Sequence, residues 1–159
     1  MNLIYPGSFD PITYGHIDIV KRSAVLADTL YIAVLINHSK KPMFSIEERV
    51  ELIRQATSDL ANVVVITFEG LLVNVFQSYP IDAIVKGLRA ISDFEYEFQM
   101  AQINREMDLR AETLFMMTNP EWGYLSSSLV REIHSLGGGV EQFAPPHVVA
   151  AMNRKLEER

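Results

Sequence analysis

"YPGSFDPITYGH", residues 5–16, follows the short apolar run Leu3-Ile4-Tyr5 and precedes a segment in which Ile17, Val20, Ala24 and Ala27 recur at helical spacing. The stretch therefore reads as the loop of a strand–loop–helix unit. Gly7 lets the backbone approach a ligand closely, Pro6 and Pro11 restrict the flanking conformations, and Gly15-His16 opens the helix. Free N–H groups and the helix dipole at that point favour an anion, to which His16 adds a directed donor. An isolated Gly-His pair more often only turns the chain, with the histidine capping or packing.

The same alternation continues along the chain. Leu30 to Ile36 is a continuous apolar strand, and Ser45 with Glu48 three positions later forms a capping box for a helix through about Thr57. The β-branched run Asn62 to Phe68 reads as a strand, Leu71 to Tyr79 as a short helix, and Asp82 to Val85 as a buried strand. Ser92 and Glu95 repeat the capping-box spacing before a helix bearing Phe94, Phe98, Ala101 and Met107, and Thr113 to Met117 is a fifth strand. Ser127 to Leu136 reads as a helix stopped by Gly137-Gly138-Gly139, and Pro145-Pro146 introduces a last helix. Strands alternating with helices predict a doubly wound, Rossmann-like five-stranded parallel sheet covered on both faces, in a single domain over 1–159 with C-terminal helices.

Such sheets bind ligands beyond the carboxyl ends of their strands. The opening loop, 37–44, Gly87-Leu88-Arg89 and 122–128 all lie there, so distant segments converge on one crevice. The net charge of −6 argues against a broad nucleic-acid or anionic-membrane surface, so any phosphate must be met by a few placed cations. With no cysteine there is no thiolate nucleophile, disulfide or cysteine zinc site, and the cytoplasm is the expected compartment. His38, His134 and His147 lack metal-ligand spacing, and no Ser-His-Asp or paired-carboxylate pattern occurs.

Adjacent lysines such as Lys40 and Lys41 are ordinarily solvated, whereas Lys86 and Arg89 flank a glycine at a strand's end, where a ligand phosphate would lie. Glu97, four residues past Asp93, shares its helical face. Helix capping accounts for one of Ser126, Ser127 and Ser128 but not for all three.

Taken together these segments resemble the phosphopantetheine adenylyltransferases, nucleotidyltransferases whose [HT]xGH signature is matched by Thr13-Tyr14-Gly15-His16. The resemblance runs on through Ser39-Lys40-Lys41-Pro42-Met43-Phe44, through "GLRAISDFEYE" at 87–97, and into Trp122 with Ser126-Ser127-Ser128, covering essentially the whole chain. It implies transfer of the adenylyl group of ATP to 4′-phosphopantetheine, giving dephospho-coenzyme A and pyrophosphate. Because the nucleophile is a phosphate, largely ionised at neutral pH, no general base or protein nucleophile is needed. The resemblance makes His16 the transition-state stabiliser, with Ser8, Lys40 and Arg89 around the reacting phosphates. It places Ser8, Lys40, Leu72 and Lys86 on the pantetheine substrate. On the nucleotide it places Ser8, Phe9, His16, Gly87, Leu88, Arg89, Glu97, Trp122, Gly123, Tyr124, Leu125, Ser126, Ser127 and Ser128.

Magnesium is expected with ATP, held by phosphates and water rather than by the protein. A homohexamer and feedback binding of coenzyme A are implied by the family alone. Two positions depart from it: Lys86 stands where many members carry arginine, and Ser8 replaces a threonine. A nucleotidyltransferase acting on nicotinate mononucleotide, or on glycerol 3-phosphate with CTP, and a non-catalytic nucleotide-binding module are the alternatives the residues leave open.

Overall fold

The computed structural model describes residues 1–158. Five parallel strands, β1 (Asn2–Gly7), β2 (Thr29–Ile36), β3 (Val63–Glu69), β4 (Ala83–Leu88) and β5 (Glu112–Met117), lie in the order β3-β2-β1-β4-β5. The chain winds outward from β1 to β3, then returns to place β4 against the other edge of β1. The reversal puts a topological switch point between β1 and its neighbours, and the loop after β1 opens into it.

Side chains alternate across the strands, so each of β1 to β4 feeds two cores. Leu3, Tyr5, Ile32, Val34 and Val85 point toward α1 (Tyr14–Leu26), α2 (Ile46–Ala56) and two C-terminal helices described below. Ile4, Ala33, Ile66 and Ile84 face the other way, against Val73, Val75 and Phe76 of a 3-10 turn over Leu72–Gln77. Ile32 is wholly buried, a burial that contributes about 1.5–3 kcal/mol by itself. The remaining helices are α3 (Ile91–Met107), α4 (Ser127–Ser135) and α5 (Pro146–Glu157).

Three expectations change in detail. The segment 71–79 winds as a 3-10 turn. The fourth strand runs three residues further than read, so Lys86, Gly87 and Leu88 belong to β4 and only Arg89 begins the loop. Gly87 is required there by packing, since a Cβ would stand 3.2 Å from Ile19 of α1. The Ser92–Glu95 capping box does not form, because α3 already starts at Ile91 behind Ala90, and the acceptor at its entrance is Asp93, which takes the N–H of Arg89 at 3.2 Å. The helix stop at the glycines does form, with Gly137 at φ +83° and the N–H of Gly138 donating to the carbonyl of Ile133 at 2.9 Å.

Candidate active site

The entrance to α1 fixes the orientation of His16. Thr13 is the N-cap, and its own N–H donates to His16 Nδ1 at 3.0 Å, so the imidazole fills the position that Glu or Gln holds in an ordinary capping box. With Nδ1 accepting, the ring hydrogen resides on Nε2. Phe9 packs edge-on against the imidazole, centroids 5.1 Å apart, and edge-on against Tyr5 at 5.4 Å. Phe9 takes a positive φ of 49°, and a Cβ on Gly7 would approach its ring to 3.1 Å. Gly7 therefore makes room for the Phe9 ring rather than for a ligand. Burial first, and the positive charge of Arg89 second, lower the His16 pKa to about 4. The ring is neutral at physiological pH and can only donate through Nε2.

His16 lines a cavity of about 220 Å³ with Gly15, Gly87, Arg89, Trp122, Leu125, Ser126 and Ser127. Arg89 is held in place by Asp93, Nε to Oδ2 at 2.9 Å and Nη2 to Oδ1 at 3.2 Å, while its Nη1 donates to the Leu125 carbonyl at 3.0 Å. The guanidinium thus bridges α3 and the loop before α4. The three serines divide their tasks. Ser126 caps α4 by accepting from the N–H of Leu129 at 3.1 Å, and Ser127 Oγ donates to the Pro11 carbonyl at 2.7 Å. Ser128 Oγ accepts from Arg131 at 3.3 Å.

A second cavity, about 180 Å³, adjoins the first through Ser127 and is lined by Ser8, Lys40, Lys41, Arg49, Ser128 and Arg131. Its one carboxylate, Asp10, is buried and accepts from the N–H groups of Met43 and Phe44, both at 2.9 Å. Those two bonds tie the lysine loop to the loop after β1. The paired cavities, one bearing His16 and Arg89 and the other bearing basic residues, lie at the switch point of the sheet.

A family model described as cytidylyltransferase-like matches residues 4–133. A phosphopantetheine adenylyltransferase of Caldanaerobacter subterraneus subsp. tengcongensis is 54% identical over 155 residues, 98% of this chain and 97% of that protein. A second, from Streptomyces coelicolor, is 52% identical over 156 residues, 98% of each. The chain belongs to the phosphopantetheine adenylyltransferases. It is accordingly an enzyme, a nucleotidyltransferase. Its fold is shared by a Vibrio parahaemolyticus protein provisionally named a nicotinate-nucleotide adenylyltransferase, with a TM-score of 0.67 at 18% identity, over 95% of this chain and 97% of that one.

Several residues expected at the site line neither cavity. Lys86 Nζ lies 3.5 Å from Glu97 Oε2, so two groups assigned to different substrates face each other across β4 and α3. Leu72 packs beside the second core, Leu88 is buried, and Phe9 is buried under His16. Tyr124 is exposed with its ring against Phe143, and Gly123 closes the 3-10 turn over Pro120–Trp122. The other histidines have structural partners: His134 with Asn153 at 2.9 Å, His147 with the Leu52 carbonyl at 3.0 Å, and His38 with Glu69 at 2.8 Å.

Residues not singled out from the sequence also line the cavities. Tyr5 and Thr118 join the first; Arg49 and Arg131 join the second, where Lys41 lies beside Lys40. Burial holds the Tyr5 phenol well above its ordinary pKa, so it stays protonated. Arg131 could have been found from its place one helical turn after Ser128. Arg49, inside the charged run "EERVELIR", carries no signal that separates it from a solvated helix face.

Proposed function

We propose that the protein joins the adenylyl group of ATP to 4′-phosphopantetheine, giving dephospho-coenzyme A and pyrophosphate. The names and identities of the two relatives support the substrates. The observation that carries the mechanism is the convergence of His16, Arg89 and Ser127 on one cavity that opens into another bearing Ser8 and Lys40. The nucleotide occupies the first cavity, and the acceptor phosphate approaches from the second. A phosphate oxygen of the acceptor bonds to the α-phosphorus as the bond from that phosphorus to the bridging oxygen breaks, and pyrophosphate leaves with the bond's electrons. The acceptor's second pKa of about 6 makes it a ready anion, so no side chain must remove a proton. The neutral imidazole of His16 donates from Nε2 to the charge that grows on the α-phosphate oxygens, while the cations hold two mutually repelling anions together.

Magnesium would supply charge neutralisation on the nucleotide phosphates. Hydroxyls and cations dominate both cavities, and no three His, Asp or Glu side chains gather to hold a metal among the described residues. That donor set suits an ion carried in by phosphate oxygens and water. Copies of the chain are proposed to assemble as a homohexamer. The exposed apolar residues Ile91, Phe94, Phe98, Ile103 and Met107 of α3 and Met117 of the edge strand β5 support self-association, and the number of copies follows from the resemblance. Coenzyme A as a feedback ligand follows from the resemblance too. We place the enzyme in the cytoplasm, in keeping with its lack of cysteine; among the described residues no helix is long and apolar enough to cross a membrane.

Incubation with ATP, Mg²⁺ and 4′-phosphopantetheine should yield dephospho-coenzyme A by mass and pyrophosphate in equal amount. Turnover of nicotinate mononucleotide, or of glycerol 3-phosphate with CTP, in preference to 4′-phosphopantetheine would overturn this assignment.

A further inference from the structure

Arg49 is a buried cation without a counter-ion. It is 6% exposed, and its guanidinium donates only to carbonyl oxygens: Nη1 to Ser8 at 2.9 Å and Leu35 at 3.2 Å, and Nε to Ser45 at 3.4 Å. Among the described residues it forms no ion pair with any carboxylate. Carbonyl dipoles ease the desolvation of a guanidinium, but they leave its full positive charge uncompensated in a medium where charge is costly. A buried ion left in that condition is a place prepared for a charge of opposite sign.

The surroundings specify the charge. Arg49 lines the second cavity together with Lys40, Lys41 and Arg131, against the single carboxylate of Asp10. That carboxylate is already engaged by two backbone N–H groups and lies 3.7 Å from Arg131 Nη1. The cavity is thus strongly positive, while the protein as a whole is negative. Arg49 is also fastened to the backbone of Ser8, so its charge and the Ser8 carbonyl hold a fixed relation.

We propose that Arg49 is a phosphate-binding residue of this enzyme, whose counter-ion is a phosphate of the bound substrate. Resting on the reaction proposed above, the inference assigns the residue to a phosphate dianion. Both the acceptor's phosphate and the polyphosphate of the nucleotide carry that chemistry, because Ser8 and Ser127 both line the cavity. Lys40 and Lys41, on an exposed loop, recruit the anion; Arg49, pinned by three carbonyls, fixes where it rests.

The test measures binding rather than turnover, so it stands apart from the reaction assay. Wild type, Arg49→Met and Arg49→Lys are titrated calorimetrically with 4′-phosphopantetheine alone and with pyrophosphate alone. Arg49→Met should weaken at least one of the two by about tenfold or more, the loss expected when a charged hydrogen-bond donor to an anion is removed. Arg49→Lys, which keeps the charge and loses the fork, should lose less affinity in the same arm. The arm affected identifies the phosphate. If both affinities stay within about twofold of wild type in both variants, Arg49 is a structural clamp and the proposal fails. If Arg49→Met does not fold, Arg49→Lys decides: a drop of about threefold or more in either arm supports the assignment, and a smaller one overturns it.

Discussion

Replacing His16 by asparagine separates the cap that the imidazole forms from the donor role proposed for it. Asparagine carries an acceptor oxygen on the atom that corresponds to the His16 Nδ1 attachment, so it can still take the Thr13 N–H that His16 now takes at 3.0 Å. It has nothing in place of Nε2–H. The variant should therefore keep its cap and lose its donor. Losing one preorganised donor to a transition-state oxyanion costs about 10²–10³ in kcat, or about 2.7–4 kcal/mol. His16→Ala should suffer the same kinetic loss and, with the cap acceptor gone, a further loss of about 0.5–2 kcal/mol in stability. Single-turnover release of pyrophosphate with saturating substrates reads the first quantity, and urea unfolding reads the second. Turnover of His16→Asn within about tenfold of wild type would refute the role of Nε2, and equal stability of the alanine and asparagine variants would refute the cap.

Three further outcomes follow from the site. The His16 pKa is depressed from its ordinary 6.5 to about 4, so the fold favours the neutral ring. Its contribution is fully present above about pH 6.5 and is lost as pH falls from there toward 4, by at most about 3 kcal/mol. Urea titrations across that range should show a steeper loss of stability in wild type than in His16→Asn. Arg89→Lys keeps the charge but cannot reach both Asp93 and the Leu125 carbonyl, and should raise KM for ATP at least about tenfold in steady-state assays. Asp10→Asn offers one acceptor oxygen where the carboxylate gives two, leaving either Met43 or Phe44 with an unpaired buried N–H. Unfolding by urea should show about 1–3 kcal/mol less stability.

The five strands and their parallel, doubly wound arrangement were legible in the sequence because the strands are rich in apolar and β-branched residues and alternate with helices, whereas their order in the sheet was not. Leu30 to Ile36 and Thr113 to Met117 match their strands to within a residue, and Gly137 marks the end of α4 by the positive φ that glycine alone takes easily. The start of α3 was misplaced because Ser92 and Glu95 satisfy a spacing rule that says nothing of register, whereas Asp93, bonded to Arg89, sits at the true entrance. His16, Arg89 and the serines, which line the paired cavities, were legible because they lie at strand ends and helix starts, where the fold rule gathers ligands. Arg49 was not, because its significance lies in what fails to surround it, and Tyr5 was not, because its burial is a matter of packing. A buried guanidinium without a carboxylate looks, in a linear chain, like any charged residue on a helix. Lys86 and Glu97 were each read as site residues, yet they line neither cavity, and their mutual pairing across two elements is a fact of the third dimension.

The concentration of Lys40, Lys41, Arg49 and Arg131 in a pit on a protein of net charge −6 sets how it meets polyanions. The net charge repels an incoming nucleotide, while these cations attract it at the opening. Dissolved ions weaken these two influences unequally, since at 0.1 M the screening distance is about 10 Å and a recessed charge is shielded less than a surface one. Lys40 and Lys41, being exposed, are screened first and the buried Arg49 last, so rising salt should slow the capture of phosphorylated molecules before it loosens their hold.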